Sequence, residues 1–472
     1  MAEAIAEMVL PGTYIEVRAE GLISVGAIST GNIGIVGTAA RGPRNQTRAI
    51  GSYAEALDLF GPYDSFTSPN VASTPLTLTR ALERAYGGGA RNVFAVRIAN
   101  GDPVAASAAI KAAGNKAGFT ITAADPGSWG NDVAYTVVNE GTDAAPSWKL
   151  TLTYGRVKET FAGATVGDVQ AALAGSHLVS AGAAQNAGLG FDTVDPAQKL
   201  SGGDDHPNVS STDIADGLAA LEDEPVNILL VAGVGSDVAR GVVAAHLERT
   251  ENEAHERIAI LGAPQSGTPT DASAVLGESA ALNDDRIVLV APGVKATDAR
   301  SGQEVTLPPP YIAPVVAGLL STLAPQISLT NKTVPIDGLD VSYSAATYQN
   351  LLQNRVLLVR KKFGFQVVKG ISTDTGPFKQ ISVRRIVDYA KAGVRSGADP
   401  YIGRLNNARV RAALKATLDG FLSQMVLDEM LVGYQLEVTA TRAQEIQGIA
   451  VVTMTLLPTF SIDYIRVTMN LQ

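Results

Sequence analysis

Three apolar segments separated by two helical segments constrain the fold of this chain more than any other feature. VNILLVAG (226–233), RIAILGAP (257–264) and RIVLVAPG (286–293) each read as a nearly continuous apolar strand. DVARGVVAAHLERTENEA and ASAVLGESAALN, which lie between them, have the apolar spacing of helices. Strands without polar alternation are buried on both faces, so this order predicts a parallel sheet covered by helices.

The preceding part of the chain holds more strands and one change of pattern. GNIGIVGTAARGP (31–43) reads as a buried strand entering a glycine-rich loop, and NVFAVRIA (92–99) reads as another strand. Between about 101 and 205 the pattern alternates instead. In 148–154 the Trp, Leu, Leu and Tyr side chains share one face and polar side chains the other. The sequence therefore predicts a small α+β domain inserted into a larger α/β domain.

The two ends of the chain read differently from its middle. LPGTYIEV (10–17) opens with a turn and predicts a short strand at Thr13–Arg18, either an arm or an edge strand of the first domain. Residues 378–396 and 407–431 read as helices, and 434–472 as three strands, the last from Ser461 to Leu471. The predicted parts are an N-terminal arm (1–20), the first part of the core (21–100), the inserted domain (101–205), an α/β domain (206–374), a C-terminal α+β domain (375–460) and a C-terminal arm strand (461–472).

Composition excludes several classes of protein. The 472 residues carry a net charge of −9, which disfavours a nucleic-acid binder, and contain no cysteine for a disulfide, a thiol nucleophile or a thiolate metal site. The N-terminus predicts no signal peptide, and the longest apolar run is broken by Pro314 and Pro325, so no membrane insertion is predicted. Charge is uneven: residues 375–472 carry a net +3 and the remainder −12.

PPPYIAPVVAGLL (308–320) resembles the nucleophile helix of subtilisin-like proteases, and so assigns a subtilisin-like character to the α/β domain. In that pattern the nucleophile lies four residues before the proline, which places Pro310 there, and Val315 replaces the histidine that follows the proline. Proline has no hydroxyl to attack a carbonyl and no N–H to stabilise an oxyanion. None of the four histidines, at 177, 206, 246 and 255, has the sequence context of a general base. A subtilisin-like hydrolase is therefore an unfavoured alternative, and no enzyme is predicted.

Two other candidate sites are weak. Gly233 and Gly235 lie between a strand and a helix as in a dinucleotide loop, but Val238 occupies the third glycine position, which favours an ordinary tight turn. Asp204, Asp205 and His206 could hold a metal, yet adjacent polar residues in a Gly/Pro loop are usually solvated. The sequence therefore predicts no cofactor, no metal and no catalytic residue.

The order of motifs along most of the chain resembles the contractile tail sheath proteins of bacteriophages and related injection machines. The resemblance is carried by PGTYIEV, GIVGTAARGP, SYAEALDLFG, RALERAYGGGARNVFAVRI, DPGSWGNDVAYTV, PPPYIAPVVAG, VRRIVDYA, GYQLEV and LPTFSIDYIRVTM. It implies a structural subunit of a virion tail, assembled in the host cytoplasm. The subunit would polymerise helically around an inner tube, meet baseplate and tail terminator proteins, and contract to drive the tube through a cell envelope. The sheath of a secretion-system or bacteriocin-like particle is the alternative.

Within that family reading, both chain ends are expected to join subunits. Apolar strands at an exposed edge invite pairing, and pairing within the same subunit is the competing arrangement. The predicted inter-subunit residues are Thr13, Tyr14, Ile15 and Val17 in the first arm and Ile465, Val467, Met469 and Leu471 in the second.

The basic C-terminal region is expected to meet an acidic inner tube. From Lys379 to Lys415 the chain has 9 Lys and Arg against 2 Asp and Glu. The candidate tube-facing residues are Arg404, Arg409, Arg411 and Lys415. A solvated helix face, or a bridge between neighbouring subunits, would explain the same charges.

Overall fold

A computed structural model describes most of the chain. The described residues are 28–63, 76–142, 145–264, 272–298 and 302–470. The predicted N-terminal arm, with Thr13, Tyr14, Ile15 and Val17, lies outside them, as does Leu471. Within these ranges no helix has both the length and the apolar character needed to span a membrane.

The described elements alternate between strands and helices through most of the chain. The strands are β1 (Ile33–Gly37), β2 (Thr47–Ile50), β3 (Val93–Arg97), β4 (Ser107–Ala112), β5 (Lys116–Ala123), β6 (Ala134–Asn139), β7 (Trp148–Tyr154), β8 (Val157–Gly163), β9 (Val179–Ala181), β10 (Val194–Lys199), β11 (Ile228–Val231), β12 (Ile258–Gly262), β13 (Ile287–Ala291), β14 (Val294–Thr297), β15 (Glu304–Leu307), β16 (Gly338–Leu339), β17 (Leu357–Lys361), β18 (Phe365–Val367), β19 (Leu431–Thr439) and β20 (Val451–Pro458). The helices are α1 (Tyr53–Phe60), α2 (Leu78–Gly88), α3 (Val166–Ala172), α4 (Ser211–Ala219), α5 (Ser236–Asn252), α6 (Ser273–Ala281), α7 (Ile312–Ser321), α8 (Ala345–Gln353), α9 (Ile381–Ala398), α10 (Ala408–Leu427) and α11 (Arg442–Ile446).

An eight-stranded sheet forms the centre of one compact unit, which comprises described residues of 31–323 and 329–376. Its order is β18-β17-β13-β12-β11-β1-β3-β2, and the six central strands run parallel. The strands read from the apolar segments are β11, β12 and β13, so the predicted parallel sheet is confirmed. Antiparallel β2 and β18 flank it and make the sheet mixed.

Helices cover this sheet because its strands are apolar throughout. Residues of α4, α5, α6 and α8 pack with strand residues such as Val36, Leu229 and Leu289 in one buried core. Helix α7 contacts α2, β11 and β12. A Cβ on Gly88 of α2 would overlap the carbonyl oxygen of Val315 in α7, so glycine lets the two helices approach closely. In α7, Val315, Val316 and Leu320 are buried, whereas Leu319 is only half-buried.

The segment between β3 and α4 has a core of its own. One sheet has the order β10-β6-β7-β8 and another β4-β5-β9, and both contribute side chains to a single apolar cluster. Leu150 and Leu152 of β7 are buried there, in agreement with the predicted alternation. Arg97, at the end of β3, donates to the carbonyl oxygens of Gly42 and Pro126, each at 2.7 Å. It also lies 3.2 Å from Asp205. This buried arginine therefore ties the base of the segment to the sheet.

The second compact unit comprises described residues of 28–30, 324–328 and 377–470. Its core forms where α9 and α10 pack with the antiparallel pair β19–β20. Helix α10 begins after Asn407, whose side chain accepts a hydrogen bond from Val410 N–H at 3.0 Å. Of the three strands predicted after residue 434, two are present among the described residues, because 459–470 belong to no strand. A strand needs a paired neighbouring backbone, and no strand among the described residues pairs with this segment.

Candidate assembly surfaces

The position that carries the nucleophile in a subtilisin-like protease has no reactive side chain in this chain. Pro310 lies buried in a short 3-10 helix, Pro309–Tyr311, that leads into α7. A Cβ on Gly262, at the end of β12, would overlap the backbone of Pro309 and Pro310. The turn is therefore packed against the sheet, and Pro310 itself presents neither a hydroxyl nor an amide hydrogen.

The best-buried histidine supports the fold. His246 Nε2 lies 3.1 Å from Nη1 of Arg257, which can only donate, so Nε2 accepts. Burial first, then the charges of Arg257 and Arg249, lowers the pKa of His246 to about 3. Nδ1 of His255 donates to the Glu222 carbonyl at 2.8 Å, and Nδ1 of His206 lies 3.1 Å from the Asn100 carbonyl. These rings are engaged in loop and helix packing.

The Asp204–Asp205–His206 loop has a structural role. Asp205 accepts from Ser128 N–H at 2.8 Å and from the Ser128 hydroxyl, and it pairs with Arg97. His206 Nε2 lies 3.7 Å from Asp204. Over the described ranges, no three His, Cys, Asp or Glu side chains are grouped as metal ligands.

The four predicted tube-facing residues do not form one surface. Arg404, Arg409 and Lys415 are exposed, and Arg404 Nε donates to the Pro400 carbonyl at 2.9 Å. Arg411 is half-buried, with Nη1 at 2.8 Å from Asn406 Oδ1 and 2.9 Å from Glu445 Oε1. Arg411 and Lys415 are one turn apart on α10, whereas Arg409 points to nearly the opposite side of that helix.

An exposed apolar patch lies beside these arginines and was not predicted. The loop before α10 exposes Ile402 and Leu405, and the β19–β20 connection exposes Ile446 and Ile449. Asn406 Nδ2 donates to the Ile449 carbonyl at 2.9 Å, which holds the two loops together. We call these four residues the end patch. The sequence signal for this patch is the isoleucine and leucine within the turn sequences YIGRLNNAR and QEIQGIA, where polar residues are usual.

The segment after β20 exposes most of its apolar side chains. Ser461 N–H donates to Gln380 Oε1 at 3.0 Å, and Gln380 Nε2 lies 3.1 Å from Asp463 Oδ2. Beyond that anchor, Ile465, Val467 and Met469 are each at least 73% exposed. Within the described residues, β19 and β20 pair only with each other. The unit therefore combines a short two-stranded sheet with an exposed apolar segment.

Comparison with known proteins gives one consistent result. Residues 373–472 match the family model of the phage tail sheath C-terminal domain. The tail sheath protein of Mycobacterium phage Bxz1 is 28% identical over 127 residues, which span 27% of this chain and 22% of that protein. The sheath tail protein from Desulfitobacterium hafniense superposes with a TM-score of 0.68 at 17% identity, over 95% of this chain and 100% of that one. The contracted helical sheath of the anti-feeding prophage gives 0.57 at 13% identity, over 99% of each chain.

These relatives are structural proteins. Each is a sheath protein or part of a sheath assembly, and none is described as an enzyme. The mixed α/β fold is thus one that sheath proteins share. The resemblance of the sequence motifs to contractile tail sheath proteins is confirmed.

Proposed function

We propose that this chain, whose residues 373–472 match the phage tail sheath C-terminal domain, belongs to the tail sheath protein family and is the structural subunit of a contractile tail sheath. Copies polymerise helically around an inner tube in the tail of a virion, and the sleeve shortens to drive the tube through a cell envelope. Baseplate and tail terminator proteins lie at the ends of the sleeve. Assembly takes place in the host cytoplasm. One observation carries the proposal: an exposed apolar segment, 459–470, follows a two-stranded sheet whose strands pair only with each other among the described residues.

The exposed segment supports a link between subunits. Ile465, Val467 and Met469 lie at alternate positions, so a strand here would present them on one face and Arg466 and Thr468 on the other. Added to an edge of another subunit's sheet, the segment would form roughly five or six backbone hydrogen bonds, each worth about 0.5–1.5 kcal/mol net. Tyr14, Ile15 and Val17 would contribute a strand from the other arm, beginning at Thr13, and Leu471 would extend the second.

The links must also survive contraction. Backbone hydrogen bonds join subunits while the chain leading to the strand bends, so the globular bodies rotate without separating. Head-to-tail contacts that do not close into a ring give a helical filament. If the extended state is kinetically trapped at a higher free energy than the contracted state, contraction needs no ATP.

The exposed basic residues of the C-terminal unit are proposed to face an acidic inner tube. Arg404, Arg409 and Lys415 are exposed and would make contacts that are individually weak, about 0–1 kcal/mol, but repeated along the sleeve. Such pairs weaken with salt and can release during movement. Arg411, the fourth candidate, pairs with Glu445 on the side of α10 that also carries Lys415. Bridging between neighbouring sheath subunits is the competing arrangement.

Two alternatives remain, one for the kind of contractile particle and one for an enzymatic activity. The sheath of a secretion-system or bacteriocin-like particle has support in the structural likeness to the anti-feeding prophage sheath. A subtilisin-like hydrolase has only the outline of α7 in its favour, since Pro310 occupies the nucleophile position.

Negative-stain microscopy of the purified chain, with and without an inner tube protein from the same particle, tests the proposal. We expect sleeves of uniform diameter that grow longer when the tube is present. Compact monomers under all conditions, or cleavage of a peptide substrate that a serine-directed covalent inhibitor abolishes, would contradict it.

A further inference from the structure

The turn between β17 and β18 presents an aromatic ring to solvent. Lys361 pairs with Phe365 across the hairpin, and Lys362 N–H donates to the Gly364 carbonyl at 2.7 Å to close the turn. Phe363, between them, is 96% exposed. Its φ is +50°, a left-handed conformation that bulky residues rarely adopt and that glycine or asparagine would occupy more readily. The turn would therefore form more easily with another residue, and the fold of the single chain gains no packing from this ring.

Basic side chains surround the ring. Arg360, Lys361 and Lys362 precede it directly, and Lys361 and Lys362 are exposed. Residues 331–334 run along the outer edge of β18 and add Lys332. Neither 357–370 nor 329–336 contains Asp or Glu. We call residues 360–364 the basic tip. A phenylalanine among lysines suits a partner that is acidic and has an apolar seat for the ring.

The basic tip projects from the carboxyl edge of the eight-stranded sheet. Ala291, the last residue of β13, pairs in parallel with Leu358 of β17. Strand β17 therefore continues three residues past the end of β13, a projection of about 10 Å before the turn begins.

The opposite edge of the same sheet is acidic. The segments that precede β11, β12 and β13 hold nine carboxylates against three arginines, within 222–224, 248–257 and 284–286. The carboxylates, which we call the acidic amino edge, are Glu222, Asp223, Glu224, Glu248, Glu251, Glu253, Glu256, Asp284 and Asp285.

The three arginines at this edge are already engaged. Arg249 pairs with Glu222 at 2.6 Å and Arg286 with Glu251 at 2.7 Å. Arg257 donates to carbonyl oxygens of the loop that precedes β11. Helix α5 also ends at this edge, and its C-terminal dipole adds to the negative potential. Pro225 and Ala254 are exposed among the carboxylates and offer apolar surface for a ring.

We propose that the basic tip of one subunit docks on the acidic amino edge of a second copy of this chain, with Phe363 packed against Pro225 and Ala254. The inference rests on the proposed sheath function and names one of the contacts that build the helix. Because the tip and its seat lie at opposite edges of one sheet, a head-to-tail contact leaves a tip and a seat exposed at the two ends of any oligomer that does not close into a ring. It therefore favours open growth.

Cross-linking between single-cysteine variants tests the geometry. Because the chain has no cysteine, each variant carries one thiol. Lys362→Cys protein is mixed with Asp223→Cys protein and treated with a short bismaleimide. The control partner is Val157→Cys, an exposed apolar position beside a hairpin turn of the inserted segment. We expect cross-linked dimers with Asp223→Cys and few with Val157→Cys. Equal yields with the two partners would overturn the proposal.

Assembly provides a second test. Phe363→Ser should raise the protein concentration needed for sleeves by about tenfold or more, as loss of a buried aromatic anchor does, while Val157→Ser should not. Lys361→Glu with Lys362→Glu should block assembly, and Asp223→Lys with Glu224→Lys in the same chain should restore it. Unchanged assembly by the tip variants, or capture of the wild-type monomer by phosphatidylglycerol vesicles through Phe363 with normal sleeves, would overturn the proposal and leave the sheath function standing. If wild-type protein forms no sleeves, the sheath proposal fails, and the cross-link in concentrated protein still decides whether tip and edge meet.

Discussion

The carbonyl oxygen of Ala85 in α2 occupies the space that a side chain at Gly318 of α7 would need. The helix that resembles a protease nucleophile helix is thus fixed by close backbone packing against its neighbour. Gly318→Ala should destabilise the fold by about 1–3 kcal/mol, because the backbone of α2 has to move. Urea unfolding measures the change.

Gly241→Ala is the matched control. Gly241 lies inside α5 with nothing near the position of an added Cβ, so alanine should cost nothing and stabilise by up to about 1 kcal/mol. Equal effects of the two substitutions would show that the contact between α2 and α7 is not close.

The buried His246–Arg257 pair predicts a pH dependence of stability. The folded chain lowers the pKa of His246 to about 3, so it binds this proton less readily than the unfolded chain. The stability that comes from neutral His246 is complete above its ordinary pKa of 6.5 and is lost as the pH falls toward 3, by up to about 1.4 kcal/mol per pH unit. His246→Gln, which keeps an acceptor for Arg257, should remove this slope.

The measurement is the difference in free energy of unfolding between His246→Gln and wild type from pH 4 to 7.5. A difference is needed because burial raises the pKa of Asp340 to about 6, which acts in the opposite direction over part of the same range. Parallel profiles for the two proteins would mean that folding does not lower the pKa of His246.

Arg409 and Arg411 should separate binding from stability. Arg411→Met removes a half-buried partner of Glu445 and Asn406, so we expect the C-terminal unit to lose about 1–3 kcal/mol. Arg409→Glu alters an exposed side chain, so we expect normal unfolding but weaker co-assembly with the tube at low salt. Co-sedimentation with tube protein and urea unfolding of each variant distinguish the two effects. Unchanged co-assembly of Arg409→Glu would favour a solvated face or a bridge between sheath subunits.

The central sheet was predictable from the sequence because β11, β12 and β13 are apolar on both faces, a pattern that few folds accommodate. The helix α10 was predictable from its spacing. The ion pair between Arg411 and Glu445 was not, because its partners are 34 residues apart and meet only when the β19–β20 connection folds back. The end patch was not predicted for the same reason: the loop that carries Ile402 and Leu405 meets Ile449 through a hydrogen bond from Asn406, 43 residues earlier in the chain.

The strand predicted at 461–471 shows where sequence reasoning reaches its limit. Its alternation at Ile465, Val467 and Met469 is that of a strand, yet among the described residues 459–470 belong to no strand. A sequence pattern shows that a segment is able to form a strand, whereas the pairing itself requires a partner strand.

Removal of residues 461–472 tests the central claim most directly, with thermal melting and sedimentation compared between the truncated and full-length proteins. The cores of both compact units lie outside the removed segment, so we expect a cooperative transition at an unchanged temperature. We also expect the truncated protein to sediment as a monomer at concentrations where the full-length chain forms sleeves, because the backbone hydrogen bonds of every link are lost. Sleeves of normal length from the truncated chain would contradict the account.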